Sequence, residues 1–253
     1  MTKISAKHEI MVVTDPDELN LRATDEFVRM TKEAVQIKGF FAGALSGGST
    51  PRGLYMQLAV DQYHGHVPWS KVHLFWSDER CVPPDHPDSN YRMIRELLLD
   101  KVPIPKENIY RMPAEQEDHV RAAMEYERTI RSFFHTEPGG LPRFDLIILG
   151  MGEDGHTASL FPYTPALEEK DRLVTANFVE KLGAYRLTLT VPLINQAAEV
   201  MFLISGESKA SVLRDVLEGE YQPQRFPSQL IRLVNGRLLF VVDRMAAGKL
   251  MRI

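Results

Sequence analysis

His156 and Asp154, two residues apart across Gly155 in the segment GMGEDGHTASLFP, are the side chains of this chain best suited to moving a proton. An imidazole with an ordinary pKa near 6.5 accepts a proton close to neutrality. A carboxylate beside it either orients the ring or stabilises its charged form. The plainer alternative is that His156 caps a helix starting near Thr157 while Asp154 makes an Asx-type turn. The sequence leaves both open.

A second stretch, FAGALSGGSTPRGLY at 41–55, reads as an apolar strand passing through a glycine turn into a helix. Gly47 and Gly48 let the backbone bend sharply and approach a ligand with no Cβ in the way. Ser49 or Thr50 suits the N-cap and Pro51 the first helical turn. Free amides at such a helix start, together with the hydroxyls and the helix dipole, suit a phosphate group. An ordinary strand-to-helix loop is the competing reading.

Cations that would neutralise a phosphate stand just after other apolar runs. Arg80 follows VHLFW in SDER, Arg186 begins RLTLT, and Lys209 in GESKA opens a helix. Arginine offers a planar fork and lysine a mobile point charge; plain surface exposure is the usual alternative for both. Asp78 joins this substrate-facing set. Asp78 and Glu79 are either catalytic or serve to hold Arg80.

Other chemistries find little support. His64 and His66 form an H-x-H in a polar loop without a third ligand at familiar spacing, so no metal site is expected. The G-x-S-x-G elbow of serine hydrolases does not occur, and the G-x-G at 150–152 does not continue into a dinucleotide fingerprint.

These residues need a frame that brings them together. Short apolar, β-branched runs occur at 9–13, 41–45, 72–76, 144–149, 186–191, 200–205 and 238–242, with apolar residues on both faces. That pattern predicts strands covered on both sides by helices, hence a mainly parallel sheet. Helices are expected over 18–38, with Leu19, Ala23, Phe27, Met30, Ala34 and Ile37 on one stripe, and over 117–134, with Val120, Ala123, Ile130 and Phe134 buried. Two more are expected over 90–99, capped by Ser89, and over 209–217. Proline-rich loops fall at 82–87, 102–105 and 136–143, the last a surface linker too short to separate domains. One α/β domain over 1–253 is therefore expected. In such a sheet ligands sit beyond the carboxyl ends of the strands, where all of these motifs lie.

The chain has 253 residues, 44% of them hydrophobic and 25% charged, which suits a soluble globular protein. Its formal charge of −4 supplies no broad basic surface, so nucleic-acid binding is not expected. Cys81 is the only cysteine, which excludes an internal disulfide and fits a reducing compartment. The first 13 residues hold no apolar signal core, and no run approaches the roughly 20 apolar residues of a membrane span. A cytoplasmic protein with no membrane partner is expected. Oligomeric state is not set by these observations.

Taken together, LSGGSTP, WSDER followed by V-P-x-x-x-x-x-S-N-Y, GMGEDGHTASLFP, RLTLTVPLIN and GESKA resemble, in order and over nearly the whole chain, the 6-phosphogluconolactonases. These lie in the wider group that includes the glucosamine-6-phosphate isomerases. The resemblance implies a three-layer α/β/α fold with a Rossmann-like sheet, possibly with a small additional subdomain. It also implies hydrolysis of a sugar phosphate lactone, 6-phospho-D-glucono-1,5-lactone, in the oxidative pentose phosphate pathway, with no metal or organic cofactor. By the same matching His156 is the general base with Asp154 as its neighbour. Gly47, Gly48, Ser49 and Thr50 form the phosphate loop, and Arg80, Arg186 and Lys209 meet the phosphate or the sugar acid. The isomerases follow the D-G-H turn with an F-N-E-P-like segment bearing a glutamate; here the stretch is SLFP, without an acid. A non-catalytic sugar-phosphate sensor is the remaining alternative, but such sensors carry a DNA-binding segment that this sequence does not show.

Overall fold

The computed structural model describes residues 8–137 and 139–251. Most of the N-terminal stretch inspected for a signal sequence, and Pro138 of the proline-rich segment 136–143, lie outside them. Among the described residues ten strands and eight α-helices follow in chain order: β1 (His8–Val13), α1 (Pro16–Lys38), β2 (Phe41–Leu45), α2 (Pro51–Leu58), α3 (Asp61–His64), β3 (Val72–Trp76), β4 (Asp78–Arg80), α4 (Asn90–Leu97), β5 (Ile109–Tyr110), α5 (His119–Phe134), β6 (Leu146–Leu149), β7 (Val174–Val179), β8 (Ala184–Leu189), α6 (Val191–Ile194), β9 (Glu199–Ile204), α7 (Ala210–Leu217), β10 (Arg237–Asp243) and α8 (Arg244–Ala247).

Seven of the strands form a parallel sheet in the order β1-β10-β9-β6-β2-β3-β5. Every residue of β2, β6 and β9 is buried, as both faces of a helix-covered parallel sheet require. From β2 the chain progresses through β3 to β5 on one side, and from β6 through β9 to β10 on the other. The order therefore reverses between β2 and β6. With right-handed crossovers the helices of the two halves fall on opposite faces, leaving a crevice beyond the β2 and β6 carboxyl ends.

That crevice is pinned from below by two buried serines. Ser46, just past β2, donates to the Ile148 carbonyl of β6 at 2.7 Å and shares a 2.7 Å hydrogen bond with Ser77, just past β3. The Ser77 amide donates to the Leu45 carbonyl at 2.8 Å. Tyr55 of α2 donates its hydroxyl to the Ser46 carbonyl at 2.6 Å, tying the helix to the same strand end.

The remaining strands form a small antiparallel sheet in the order β4-β8-β7. This corrects one expectation: RLTLTV at 186–191 does not join the parallel sheet. Its strand, β8, spans Ala184–Leu189 and pairs with β4 and β7. The run's inward residues Leu187 and Leu189 are fully buried, as they would be in either sheet. Apolar content alone did not distinguish the two. The small sheet hangs from the end of β3, since only Ser77 separates β3 from β4, and the Leu189 amide donates to the Ser77 carbonyl.

The long helices follow their caps. α1 starts earlier than its apolar stripe suggests, because the Asp15 carboxylate accepts from the Glu18 amide and Pro16 occupies the first turn. Gly39, with φ of 86°, ends it in the left-handed conformation. Ile37 in its last turn is exposed. α5 starts at His119, capped by Asp118, and its expected stripe needs revision. Val120 is 62% exposed, whereas Glu127 is buried and bridges Arg131 and Arg172. The small sheet covers one flank of α5, so the face was set by a neighbour that the periodicity did not include. Ser89 caps α4 by accepting from the Arg92 amide, as expected. Among the described residues no helix is long and apolar enough to cross a membrane.

Candidate active site

The loops beyond β2, β4, β6 and β9 and the β7–β8 hairpin enclose a cavity of about 390 Å³ at the topological switch point. Gly47, Gly48, Ser49, Thr50, Asp78, Arg80, His156, Arg186 and Lys209, each singled out in the sequence, all line it. Asp154 does not line it; it stands behind His156.

The glycine turn has the shape its residues allow. Gly48 sits at φ of 97°, a left-handed conformation that favours glycine. Gly47 is required by a close neighbour: a Cβ there would fall 1.7 Å from the Asn90 Oδ1. Asn90 in turn donates its side-chain amide to the Asp78 carbonyl at 3.0 Å, linking the turn to β4. Thr50 occupies the N-cap position of α2 but is itself helical, with φ of −65° and ψ of −48°, and its hydroxyl makes no cap bond. The expected side-chain cap is therefore absent. Among the described residues neither the Ser49 nor the Thr50 hydroxyl has a protein partner, and both residues line the cavity.

Asp78 and Glu79 diverge in the small sheet. Glu79 is 3% exposed and accepts from the amides of Arg80, Asn90 and Tyr91 and from the Ser89 hydroxyl. Burial pushes its carboxyl above the usual value, opposed by those backbone donors. Its work is to anchor the start of α4. Asp78 accepts from the Ser159 hydroxyl at 2.8 Å and keeps its place on the cavity wall. Neither carboxylate holds the Arg80 guanidinium, which donates to the Asp88 carbonyl at 2.7 Å. Cys81 lies next along the chain but burial pushes its thiol up to about 11, away from thiolate chemistry.

Arg80 and Arg186 are direct partners across the β4–β8 ladder. Burial, then the charge of Arg80, push the Arg186 guanidinium below its ordinary value. Like charges in register are unfavourable by a few tenths to about 1 kcal/mol. Lys209 adds a third cation from a 3₁₀ turn (Glu207–Lys209) just ahead of α7, in place of the helix expected to begin at Lys209. That turn is positioned by Asp243, whose carboxylate accepts from the Ser205 hydroxyl and the Gly206 amide.

The loop after β6 is held at both ends. Thr157 donates to the Gly150 carbonyl, the Gly152 amide to the His156 carbonyl, and Ser228 to the Gly155 carbonyl. No helix begins at Thr157, which instead forms an isolated bridge with Leu160. Gly155 turns at φ of 78° beneath Phe226. Gly152 leaves room for the imidazole, since a Cβ there would lie 2.1 Å from His156 Nδ1.

His156 Nδ1 lies 2.5 Å from Asp154 Oδ1. Burial alone would push the Asp154 carboxyl up, but hydrogen bonds from His156 and Lys181 outweigh it and hold the group well below the usual carboxylate range. An ionised carboxylate only accepts, so Nδ1 carries the ring proton and Nε2 of the neutral ring is left as the acceptor. The ring stacks on Phe161 with centroids 4.1 Å apart. The arrangement can therefore take a proton at a wall whose neighbouring surface is cationic.

The cavity also includes residues that the sequence motifs did not single out: Ser46, Asn90, Ser159, Phe161, Lys181 and Leu182. Ser46 lay within LSGGSTP, Asn90 within the S-N-Y stretch, and Ser159 and Phe161 within the histidine motif, so these four were legible by position. Lys181 lay in an unremarkable hairpin, NFVEKLGAYR, and nothing in its spacing marked it.

A family model described as glucosamine-6-phosphate isomerases/6-phosphogluconolactonase matches residues 14–240. A 6-phosphogluconolactonase from Synechocystis sp. is 47% identical over 88% of this chain and 89% of its own length. One from Nostoc sp. is 41% identical over 96% of this chain and 99% of its own. The solved 6-phosphogluconolactonase from Trypanosoma cruzi superposes with a TM-score of 0.88 at 30% identity, covering 98% of this chain and 99% of that one. The chain belongs to the glucosamine-6-phosphate isomerase/6-phosphogluconolactonase family, on its lactonase side.

Proposed function

We propose that this protein hydrolyses 6-phospho-D-glucono-1,5-lactone to 6-phospho-D-gluconate, with both sheets serving one catalytic unit. The observation that carries the reading is the pairing of His156 Nδ1 with Asp154 on the wall of a cavity that also holds the Arg80–Arg186 pair and the glycine turn. The phosphate sits against Arg80, Arg186, Lys209 and the turn at 47–50, where a dianion relieves the repulsion between the arginines. Grip on this distant group places C1 of the lactone against the histidine, so binding far from the reaction serves orientation.

His156 Nε2 takes a proton from water as the water oxygen attacks C1. Asp154 holds the tautomer and steadies the imidazolium that forms. The tetrahedral oxyanion then collapses, the C1–O5 bond breaks, and the imidazolium returns its proton to O5, giving the open acid. A δ-lactone also hydrolyses unaided, so acid/base help on the order of 10² to 10⁴ with positioning suffices. Asp78, fixed by Ser159, faces the sugar and suits a hydroxyl partner.

Isomerisation of amino-sugar phosphates is disfavoured by Phe161, an apolar ring stacked on His156 within a stretch that bears no acid. The test is a coupled assay of 6-phosphogluconate formation against the spontaneous rate, run beside ammonia release from glucosamine 6-phosphate. Acceleration of the first alone is expected. Binding of 6-phosphogluconate without acceleration would leave a sensor, and ammonia release alone would leave the isomerase.

A further inference from the structure

Lys181 enters the cavity from an element that supplies none of the residues singled out in the sequence. It sits in the 3₁₀ tip Glu180–Leu182 of the β7–β8 hairpin, which Gly183 closes at φ of 58°. Its ammonium pairs with Asp154 Oδ2, the oxygen that His156 Nδ1 leaves free, and lies 4.9 Å from the centroid of the Phe161 ring on which His156 stacks. One carboxylate is thus divided between an imidazole and an ammonium. Lys181 touches both neighbours that fix the histidine ring.

The electrostatic consequence has a definite sign. A carboxylate held by Nδ1 favours the imidazolium and raises the basicity of the ring. A cation on the second oxygen offsets some of that charge. As a partly exposed pair, Lys181 and Asp154 contribute little to stability. Their effect on the neighbouring ring is not limited in that way, because the ring shares the same carboxylate.

We infer that Lys181 is a positioning residue that lowers the basicity of His156 through Asp154. The inference rests on the reading of His156 as the proton acceptor. The other charged groups lining the cavity are Asp78 and Arg80 on β4, Arg186 on β8 and Lys209 ahead of α7. All four persist when Lys181 is replaced, so the change isolates one ammonium.

The test is the titration of the His156 ring by NMR in ligand-free protein, assigned with His156→Gln, for wild type, Lys181→Met and Lys181→Arg. Lys181→Met should raise the midpoint by roughly half a unit to one unit, less than the 1–3 units of directly paired charges. Lys181→Arg should restore it. The acid limb of kcat/KM should move upward by the same amount in Lys181→Met and not in Lys181→Arg. An unmoved midpoint, or activity lost evenly at every pH, would overturn the inference; so would a rise in KM with no displacement of the limb, which would make Lys181 a substrate contact only. Lys181→Gln provides a second neutral variant should the methionine disturb the hairpin. Because the titration needs no turnover, a wild-type protein without lactonase activity would refute the catalytic reading and leave this measurement standing.

Discussion

Arg80 and Arg186 face each other in register across two strands, and among the described residues neither forms an ion pair with a carboxylate. Two guanidiniums placed side by side repel one another, and under the proposed reading a phosphate dianion relieves that repulsion.

Ligand binding should therefore stabilise the protein, and the arginines should carry the effect. At about 100 times Kd, 6-phosphogluconate should contribute roughly 2.7 kcal/mol, which is a rise in Tm of roughly 5 to 10 °C. In Arg186→Ala the rise should largely vanish while the ligand-free Tm stays within a degree or two of wild type. KM for the phosphorylated lactone should increase by roughly 10- to 100-fold with a smaller change in kcat. Thermal scans with and without ligand, followed by steady-state kinetics, check both. An equal loss on the unphosphorylated lactone would mean that Arg186 is structural.

His156→Ala should lower kcat by roughly 10² to 10⁴ and change KM little, because a base acts mainly in the transition state. Initial rates corrected for spontaneous hydrolysis decide the matter. A variant that raises KM and spares kcat would remove the base assignment.

Asp154 links catalysis to acid stability, and the sign follows from its lowered pKa. A carboxylate depressed by folding contributes stability that is fully present above its unfolded pKa near 4 and is lost as pH falls through the folded value. Asp154→Asn should thus cost stability at pH 7 and progressively less as the pH falls below 4, so its urea midpoint should approach the wild-type midpoint as the solution is acidified. Its kcat should also fall, since an amide no longer fixes the Nδ1 proton. A stability gap that is constant across this range would show that the carboxylate charge is not what His156 and Lys181 grip.

Gly152→Ala should separate geometry from folding. The added Cβ would fall 2.1 Å from the His156 ring and 2.8 Å from Asp154 Oδ1, so the imidazole must move. Displacement of a reacting group by about 1 Å costs on the order of 100-fold in rate. Activity should drop by that order while circular dichroism stays native. Full activity would mean that His156 has room the packing does not show.

Glu79→Gln should weaken the fold rather than the chemistry. The carboxylate meets four donors, and an amide nitrogen in one of its positions would face donors it cannot accept from. A loss of about 1 to 3 kcal/mol is expected in urea unfolding, with kcat of the folded enzyme retained. A kcat collapse at unchanged stability would return Glu79 to the catalytic residues.

The chain's own order of residues determined six of the seven strands of the parallel sheet, because packing within the sheet leaves an apolar run; the two-residue edge strand β5 is too short to leave one. That order also determined the glycine turn and the D-G-H loop, because φ of 97° and 78° and contacts under 3 Å admit little except glycine. Those signals are local, carried by neighbours in sequence. Tertiary structure decided what depends on residues distant along the chain. It moved β8 into a second sheet, since Leu187 and Leu189 are as apolar as any parallel strand would need. It turned Val120 outward and Glu127 inward, because the small sheet brings Arg172 against α5. It separated Asp78 from Glu79, adjacent carboxylates whose strand points one to the cavity and the other to a helix start. It also brought Lys181 to Asp154 across 27 positions, a contact that arises only when a hairpin tip folds over the end of a sheet to which it does not belong.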